Sequence, residues 1–218
     1  MRINMPSILM IGFAALSTFF LVVELRVLAG DQYALGSGQT TWNIANFRGH
    51  ISLQATHRLL MSCDRSLSVP VAYLRPKDET LAVAETCLEI ARSTLSTIPT
   101  HGFAYFIAAL AEHHRNYQKL RDIYLEKSVN FTPFEGWLAE RRFVLAMNPP
   151  NGETVSEYIS ISQDIATLLD TQSGAELLAN YYTLRPKSRH LIAAARDTTT
   201  QANQARLSNQ LIRKRAGK

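Results

Sequence analysis

Apolar residues recur at intervals of three and four along most of the chain, and this spacing predicts helices rather than strands. One stripe consists of Leu81, Ala84, Leu88, Ala91 and Leu95, and the acidic pair Asp78-Glu79 before it favours a helix start. The next stripes contain Phe103, Phe106, Ile107, Leu110 and His114; then Leu120, Ile123 and Tyr124; then Phe134, Trp137, Leu138, Arg141 and Leu145. The sequence therefore predicts an all-α fold.

The helical pattern repeats with a period near 34 residues. The corresponding positions are Pro99, Phe103, Ala104 and Leu110 in one unit and Pro133, Trp137, Leu138 and Val144 in the next. Two helices per unit with proline in the connecting turn is the spacing of tetratricopeptide repeats. Because only about two units are visible and their small residues are not fully kept, we expect a degenerate tetratricopeptide-like α-helical-repeat domain.

The most hydrophobic part of the chain is the run from Ile8 to Val23, which contains no charged residue. Extended to Ala29, it is long enough to cross about 30 Å of hydrocarbon as a helix. Residues 1–29 are therefore predicted to be a transmembrane signal-anchor, and a signal peptide cleaved after Ala29 is the alternative. Arg2 favours a cytoplasmic N-terminus, so either interpretation exports the rest of the chain.

Charge and glycine divide the rest of the sequence. The glycines between residues 30 and 40 indicate a linker, and the predicted domain covers residues 41–184. Residues 1–184 contain 14 Lys/Arg and 17 Asp/Glu, whereas residues 185–218 contain nine Lys/Arg and one Asp/Glu. We expect residues 185–218 to form a basic helical tail, and we expect the domain to stay folded without residues 206–218.

The chain contains two cysteines, Cys63 and Cys87, each on a predicted helix. An exported chain enters an oxidising compartment, where exposed thiol pairs form disulfides. The two residues are therefore either a disulfide or two buried thiols that pack as small apolar side chains.

A family resemblance rests on the stretch from Ala84-Glu85-x2-Leu88-x2-Ala91 to Pro133-x-Glu135-Gly136-Trp137-Leu138-Ala139-x-Arg141-Arg142. It resembles bacterial membrane-anchored tetratricopeptide-like proteins associated with exopolysaccharide and surface-polysaccharide synthesis. The resemblance implies an inner-membrane protein with one membrane span and a periplasmic helical domain. It also implies a non-catalytic role in assembly, polymerisation or export of the polysaccharide.

Sequence signatures of catalysis are absent. The chain has no Gly-x-Ser-x-Gly elbow, no phosphate-binding loop, no His-Glu-x-x-His and no Cys-x-x-Cys. Neighbouring helical residues point about 100° apart, so His113 and His114 cannot face one metal, and His114 is expected to be a buried or interface structural histidine. The sequence predicts no enzyme activity, catalytic residue, cofactor or metal.

Two sets of residues are candidates for binding a partner. Trp137, Arg141 and Arg142 combine an aromatic ring with guanidinium groups, an arrangement suited to a sugar or peptide, although structural pairing is the alternative. Four basic residues are candidates for binding an anionic lipid or an acidic polysaccharide: Arg206, Arg213, Lys214 and Arg215. Nucleic acid is not expected as a partner, because aromatic residues do not alternate with these cations.

The predicted function is that of an interaction protein that acts through protein partners in the cell envelope. An accessory subunit of another envelope complex, such as a secretion apparatus, is the first alternative. An enzyme acting on glycans is the second, because two catalytic carboxylates need no fixed sequence spacing.

Overall fold

The regular structure is helical throughout the described part of the chain. The computed structural model describes residues 17–22, 25, 53–68, 72, 74–148 and 160–217, and these ranges contain no strand, which confirms the all-α prediction for them. The helices are α1 (Leu53–Leu67), α2 (Lys77–Thr97), α3 (Gly102–His114), α4 (Gln118–Phe131), α5 (Gly136–Met147), α6 (Ile161–Leu169), α7 (Gln172–Leu184), α8 (Arg189–Asp197) and α9 (Gln201–Ala216), with a 3-10 turn at Pro186–Ser188.

The chain forms two compact units, residues 1–86 and 87–218. The boundary falls within α2, inside the range of residues 41–184 that the sequence predicts as one domain. The first unit contains α1 and the start of α2, and the second contains the remaining helices.

Most of the predicted membrane segment and all of the predicted linker lie outside the described residues. Within residues 1–29, residues 17–22 and residue 25 are described, and they are helical and exposed. Among the helices that the structure describes, none is long and apolar enough to span a membrane.

The α2 helix buries much of the apolar stripe that its sequence predicts. Ala84, Leu88 and Ala91 are buried, whereas Leu81 and Leu95 are half-buried. Just before α2, Arg75 donates from Nη1 to the carbonyl of Ser66 at 3.2 Å, which pairs one of the carbonyls left open at the end of α1.

Helices α3 and α4 pack antiparallel as a hairpin. The side chains of α3 are buried along almost its whole length, which explains why apolar residues surround this helix rather than forming one stripe. The rings of Tyr105 and Phe131 stack with their centroids 5.5 Å apart. Asn116 has φ of 65° in the connecting turn, a left-handed conformation that asparagine tolerates better than most residues.

The α4 helix turns a different face inward from the one that its sequence predicts. Leu120 and Ile123 were expected in the core, but they are 39% and 42% exposed. The buried residues are Arg121, Leu125, Ser128 and Val129. The prediction is wrong because the inward face contains polar side chains that bind other helices, and apolar periodicity does not reveal such a face.

Contacts within the second unit recur between residues about 34 positions apart. Helices α3 and α5 begin at Gly102 and Gly136, and the rings of Phe103 and Trp137 meet edge to face at 5.1 Å. Four side-chain hydrogen bonds join residues 33 or 34 apart: Glu126 with Ser160, Pro133 with Thr167, Asn148 with Tyr181, and Asp170 with Asn203.

The basic region predicted as a helical tail, residues 185–218, is helical and packs on other helices of the second unit. Helix α8 packs on α6, and α9 packs on α7 and α6. Asn203, Leu207 and Gln210 of α9 are buried. Arg206 donates from Nη1 to the carbonyl of Leu169, so the start of α9 pairs with the end of α6.

We expect two truncations of α9 to differ in stability, because one removes packed residues and the other removes only its last residues. Deleting residues 206–218 removes Leu207 from the core and should lower the free energy of unfolding by about 2–5 kcal/mol or more, because it opens a cavity over α7. Deleting residues 213–218 should leave the melting temperature, followed by circular dichroism, close to that of the full chain. Equal melting temperatures for the two truncations would contradict this packing.

Candidate functional site

The three residues proposed as one partner-binding face do not share a surface. Trp137 is 42% exposed and Arg141 is half-buried, but Arg142 is fully buried. Because Arg142 has no access to solvent, its assignment to a ligand face is wrong. Trp137 retains an exposed edge while it packs on Phe103.

Arg142 is the centre of a buried polar cluster between α4, α5 and α6. Its Nε donates to both carboxylate oxygens of Asp164, at 3.0 and 2.9 Å, and its Nη2 donates to Oδ1 at 2.5 Å. Nη1 donates to the hydroxyls of Ser128 and Thr132 at 3.3 and 3.2 Å, and Nη2 also reaches the Thr132 carbonyl at 3.3 Å. Every nitrogen of the guanidinium is paired, so the cluster is a structural site.

Breaking this ion pair from one side should destabilise the protein strongly. Arg142→Met leaves the Asp164 carboxylate buried without its partner, and we expect a loss of about 3–5 kcal/mol in the free energy of unfolding, measured by urea titration. The double variant Arg142→Met/Asp164→Leu should recover part of the loss, because no charge remains buried. Arg141→Met is the matched control, and a loss as large as that of Arg142→Met would exclude the special role of the pair.

A second buried polar group lies at the end of α3. The Glu112 side chain is fully buried and accepts from Arg115 at 2.8 Å and from Arg92 at 3.4 Å. His113 is buried, and His114, which was expected to be a buried or interface histidine, is half-buried. In the described part of the chain, no group of three His, Cys, Asp or Glu residues could hold a metal ion.

Burial lowers the pKa of His113 to about 3, and the nearby His114 and Arg121 add electrostatic repulsion against the imidazolium. His113 Nδ1 and Arg121 Nη1 are both buried with no hydrogen-bond partner in the structure. The imidazole is therefore neutral at neutral pH, and it cannot act as a general acid there.

The depressed pKa of His113 predicts an acid-sensitive fold. An unfolded histidine binds a proton near pH 6.5, whereas the folded one does so near pH 3, so stability is fully present above pH 6.5 and falls as the pH drops towards 3. The slope should approach about 1.4 kcal/mol per pH unit within that window. His113→Gln should flatten it in denaturant titrations at successive pH values, and an unchanged slope in this variant would contradict the assignment to His113.

The four basic residues proposed for anion binding also divide into two groups. Arg206 is half-buried, donates to Asn203 Oδ1 at 2.9 Å, and binds the Leu169 carbonyl, so its role is structural. Lys214 lies 3.9 Å from Glu176, a loose pair, whereas Arg213 and Arg215 are exposed. Of these four residues, those in the last turn of α9 therefore remain available to an anion.

The structure places an uncovered apolar surface on α4, which we call the α4 face: Tyr117, Leu120, Ile123 and Phe131. These residues are all exposed. The spacing of these residues is visible in the sequence, but the same spacing also fits a buried apolar stripe. The sequence therefore did not predict that these side chains are exposed. Phe134 and Trp137, which follow α4 in the turn and at the start of α5, are exposed as well.

Both cysteines are disulfide-bonded, and no described cysteine is free. Cys63 and Cys87 are the two cysteines of the chain, and the bonded form is one of the two states that the sequence left open for them.

Comparisons with protein-family models, with curated proteins and with solved structures found no match to the chain. The resemblance to proteins of exopolysaccharide synthesis therefore stays a prediction from the sequence motifs. The function has to be argued from the surfaces of the molecule.

Proposed function

We propose that this chain is a non-catalytic, membrane-anchored interaction protein that assists assembly, polymerisation or export of a cell-surface polysaccharide. The observation that carries the proposal is the α4 face, because large apolar side chains on a rigid helix are left in contact with water. Clusters of this kind are typical of protein interaction sites. The polysaccharide machinery as the setting rests on the sequence resemblance.

The repeat spacing supports a scaffold role. The 34-residue interval between the starts of α3 and α5 and the hydrogen bonds at the same interval are what stacked two-helix units would produce. We therefore propose that the second unit is a degenerate tetratricopeptide-like array. Arrays of this type bind proteins through helix faces.

The disulfide supports export. Disulfides persist in oxidising compartments such as the bacterial periplasm and are rare in the cytosol. The bonded state of both cysteines is thus consistent with the proposed route, in which residues 1–29 anchor the chain in the inner membrane and the helical units lie in the periplasm.

The α4 face suits a helical or extended segment of a partner protein. Leu120 and Ile123 are three positions apart and therefore neighbours on one side of the helix, and Tyr117 extends the row towards the N-terminus. An amphipathic partner helix would bury these side chains by laying its apolar stripe along α4. The aromatic rings contribute most contact area at low entropic cost.

The α4 face can be tested by affinity capture from detergent-solubilised membranes of the bacterial host. We expect the tagged full chain to recover glycosyltransferases, polymerases or exporters of a polysaccharide, identified by mass spectrometry. Leu120→Gln/Ile123→Gln should reduce their recovery about tenfold or more, because tenfold corresponds to only about 1.4 kcal/mol. The matched control is Leu74→Gln, which removes an exposed leucine in the first unit.

Two outcomes would contradict the proposal. Recovery of secretion components in place of polysaccharide enzymes would support the alternative envelope complex. Equal recovery with the α4-face variant and with the wild type, when both have the same helical circular dichroism spectrum, would exclude the α4 face as the binding surface.

A further inference from the structure

Two contacts that occur in the same order along α7 and α9 indicate that the two helices run in the same direction. Early in α9, Asn203 binds Asp170, just before α7, at 2.8 Å. Late in α9, Lys214 lies 3.9 Å from Glu176, one turn into α7. The turn that follows α7 therefore lies on the same side as the last turn of α9.

This arrangement collects cations and apolar side chains that are separate in the sequence. We call the set the basic edge: Leu184, Arg185, Lys187 and Arg189 after α7, and Ile212, Arg213 and Arg215 at the end of α9. All seven residues are exposed. Asp197, the single acidic residue between positions 185 and 218, pairs with Arg196 at the other end of α8.

The arginines after α7 are held in place at this edge. Arg185 donates from Nη1 to the Met147 carbonyl at 2.8 Å and stacks over Tyr181 with its Cζ 5.3 Å from the ring centroid. Arg189 donates from Nε to the Tyr182 carbonyl at 2.8 Å and lies 5.7 Å from that ring centroid. These contacts fix the guanidinium groups without neutralising them, because carbonyls and rings bring no full negative charge.

The apolar members of the basic edge decide which anion it fits. Leu184 is 75% exposed and Ile212 is 62% exposed, and each has arginine as its neighbour in the chain. A soluble polyanion offers cations a partner but leaves these side chains in water. The surface of an anionic bilayer offers headgroups to the arginines and the acyl boundary to leucine and isoleucine.

We propose that the basic edge docks on the surface of an anionic lipid bilayer. Arg185, Lys187, Arg189, Arg213 and Arg215 would bind the headgroups, and Leu184 and Ile212 would insert between them. This contact differs from the proposed protein-binding role of the α4 face, and it concerns other residues. It also differs from a membrane-spanning segment, because it depends on lipid charge and weakens in salt.

The test uses the full chain and measures whether a probe at the basic edge enters the less polar surroundings of a lipid bilayer. Gly217→Cys, labelled with the polarity-sensitive dye nitrobenzoxadiazole, places a probe beside Arg215; Ser173→Cys places the same probe at the start of α7, the opposite edge. Both native cysteines are bonded and do not take the label. Each labelled chain is reconstituted into vesicles of phosphatidylcholine with or without about 30 mol% phosphatidylglycerol, a fraction that gives a negative surface potential.

We expect a blue shift of the Gly217→Cys probe in vesicles that contain phosphatidylglycerol, and its loss in about 0.5 M salt. Arg213→Gln/Arg215→Gln should reduce the shifted fraction about 25-fold, since each surface cation contributes roughly a fivefold factor. Leu184→Ser/Ile212→Ser should also reduce it, because this variant has no apolar side chain to insert at the acyl boundary. Arg58→Gln/Arg65→Gln removes two exposed charges on α1 and should leave the shift unchanged, as should the α4-face variant.

Three results would overturn the proposal. The Gly217→Cys probe fails to shift in the presence of phosphatidylglycerol; it shifts equally in pure phosphatidylcholine; or the Ser173→Cys probe shifts by the same amount. A spectral change of the Gly217→Cys probe with a soluble polyuronate, in the absence of any response to phosphatidylglycerol, would reassign the basic edge to an acidic glycan. Because the α4-face variant serves as a control, failure here is distinct from failure of the proposed function.

Discussion

The buried ion pair between Arg142 and Asp164 determines how three helices of the second unit fit together. A guanidinium removed from water needs a partner for each of its donors. Arg142 lies on α5, Asp164 on α6 accepts from it, and Ser128 on α4 and Thr132 just after α4 supply the other acceptors. Desolvation offsets much of the attraction, so the pair adds little net stability compared with apolar packing. We infer that the pair contributes specificity, because any other register of α5 against α6 would leave the two charges buried without a partner.

The same cluster explains why α4 leaves apolar residues in water. Ser128 has to face inward to accept from Arg142, and in a helix the residues three and seven positions earlier lie on the same side. These are Leu125 and Arg121, both buried. Leu120 and Ile123 are then rotated outward. The exposed face thus follows from the demands of a buried polar cluster.

The sequence predicted the helices better than the surfaces. Apolar spacing located most of the helices, and the 34-residue interval placed the starts of α3 and α5. It did not reveal that Arg142 is buried, because its partner Asp164 lies 22 positions further along the chain, on a different helix. On α3, apolar spacing did not separate the buried His113 from the half-buried His114, because this helix is buried on nearly all sides.

The basic C-terminal region shows why charge in a sequence is a weak guide to a surface. Arg206 belongs to the same basic run as Arg213, yet it pairs with the carbonyl of Leu169 and helps to hold α9 in place. The cations that remain exposed come from two turns about 25 residues apart, which only the parallel packing of α7 and α9 brings to one edge. A binding surface here is therefore a property of helix direction, and its apolar members, Leu184 and Ile212, become interpretable only once that edge is known.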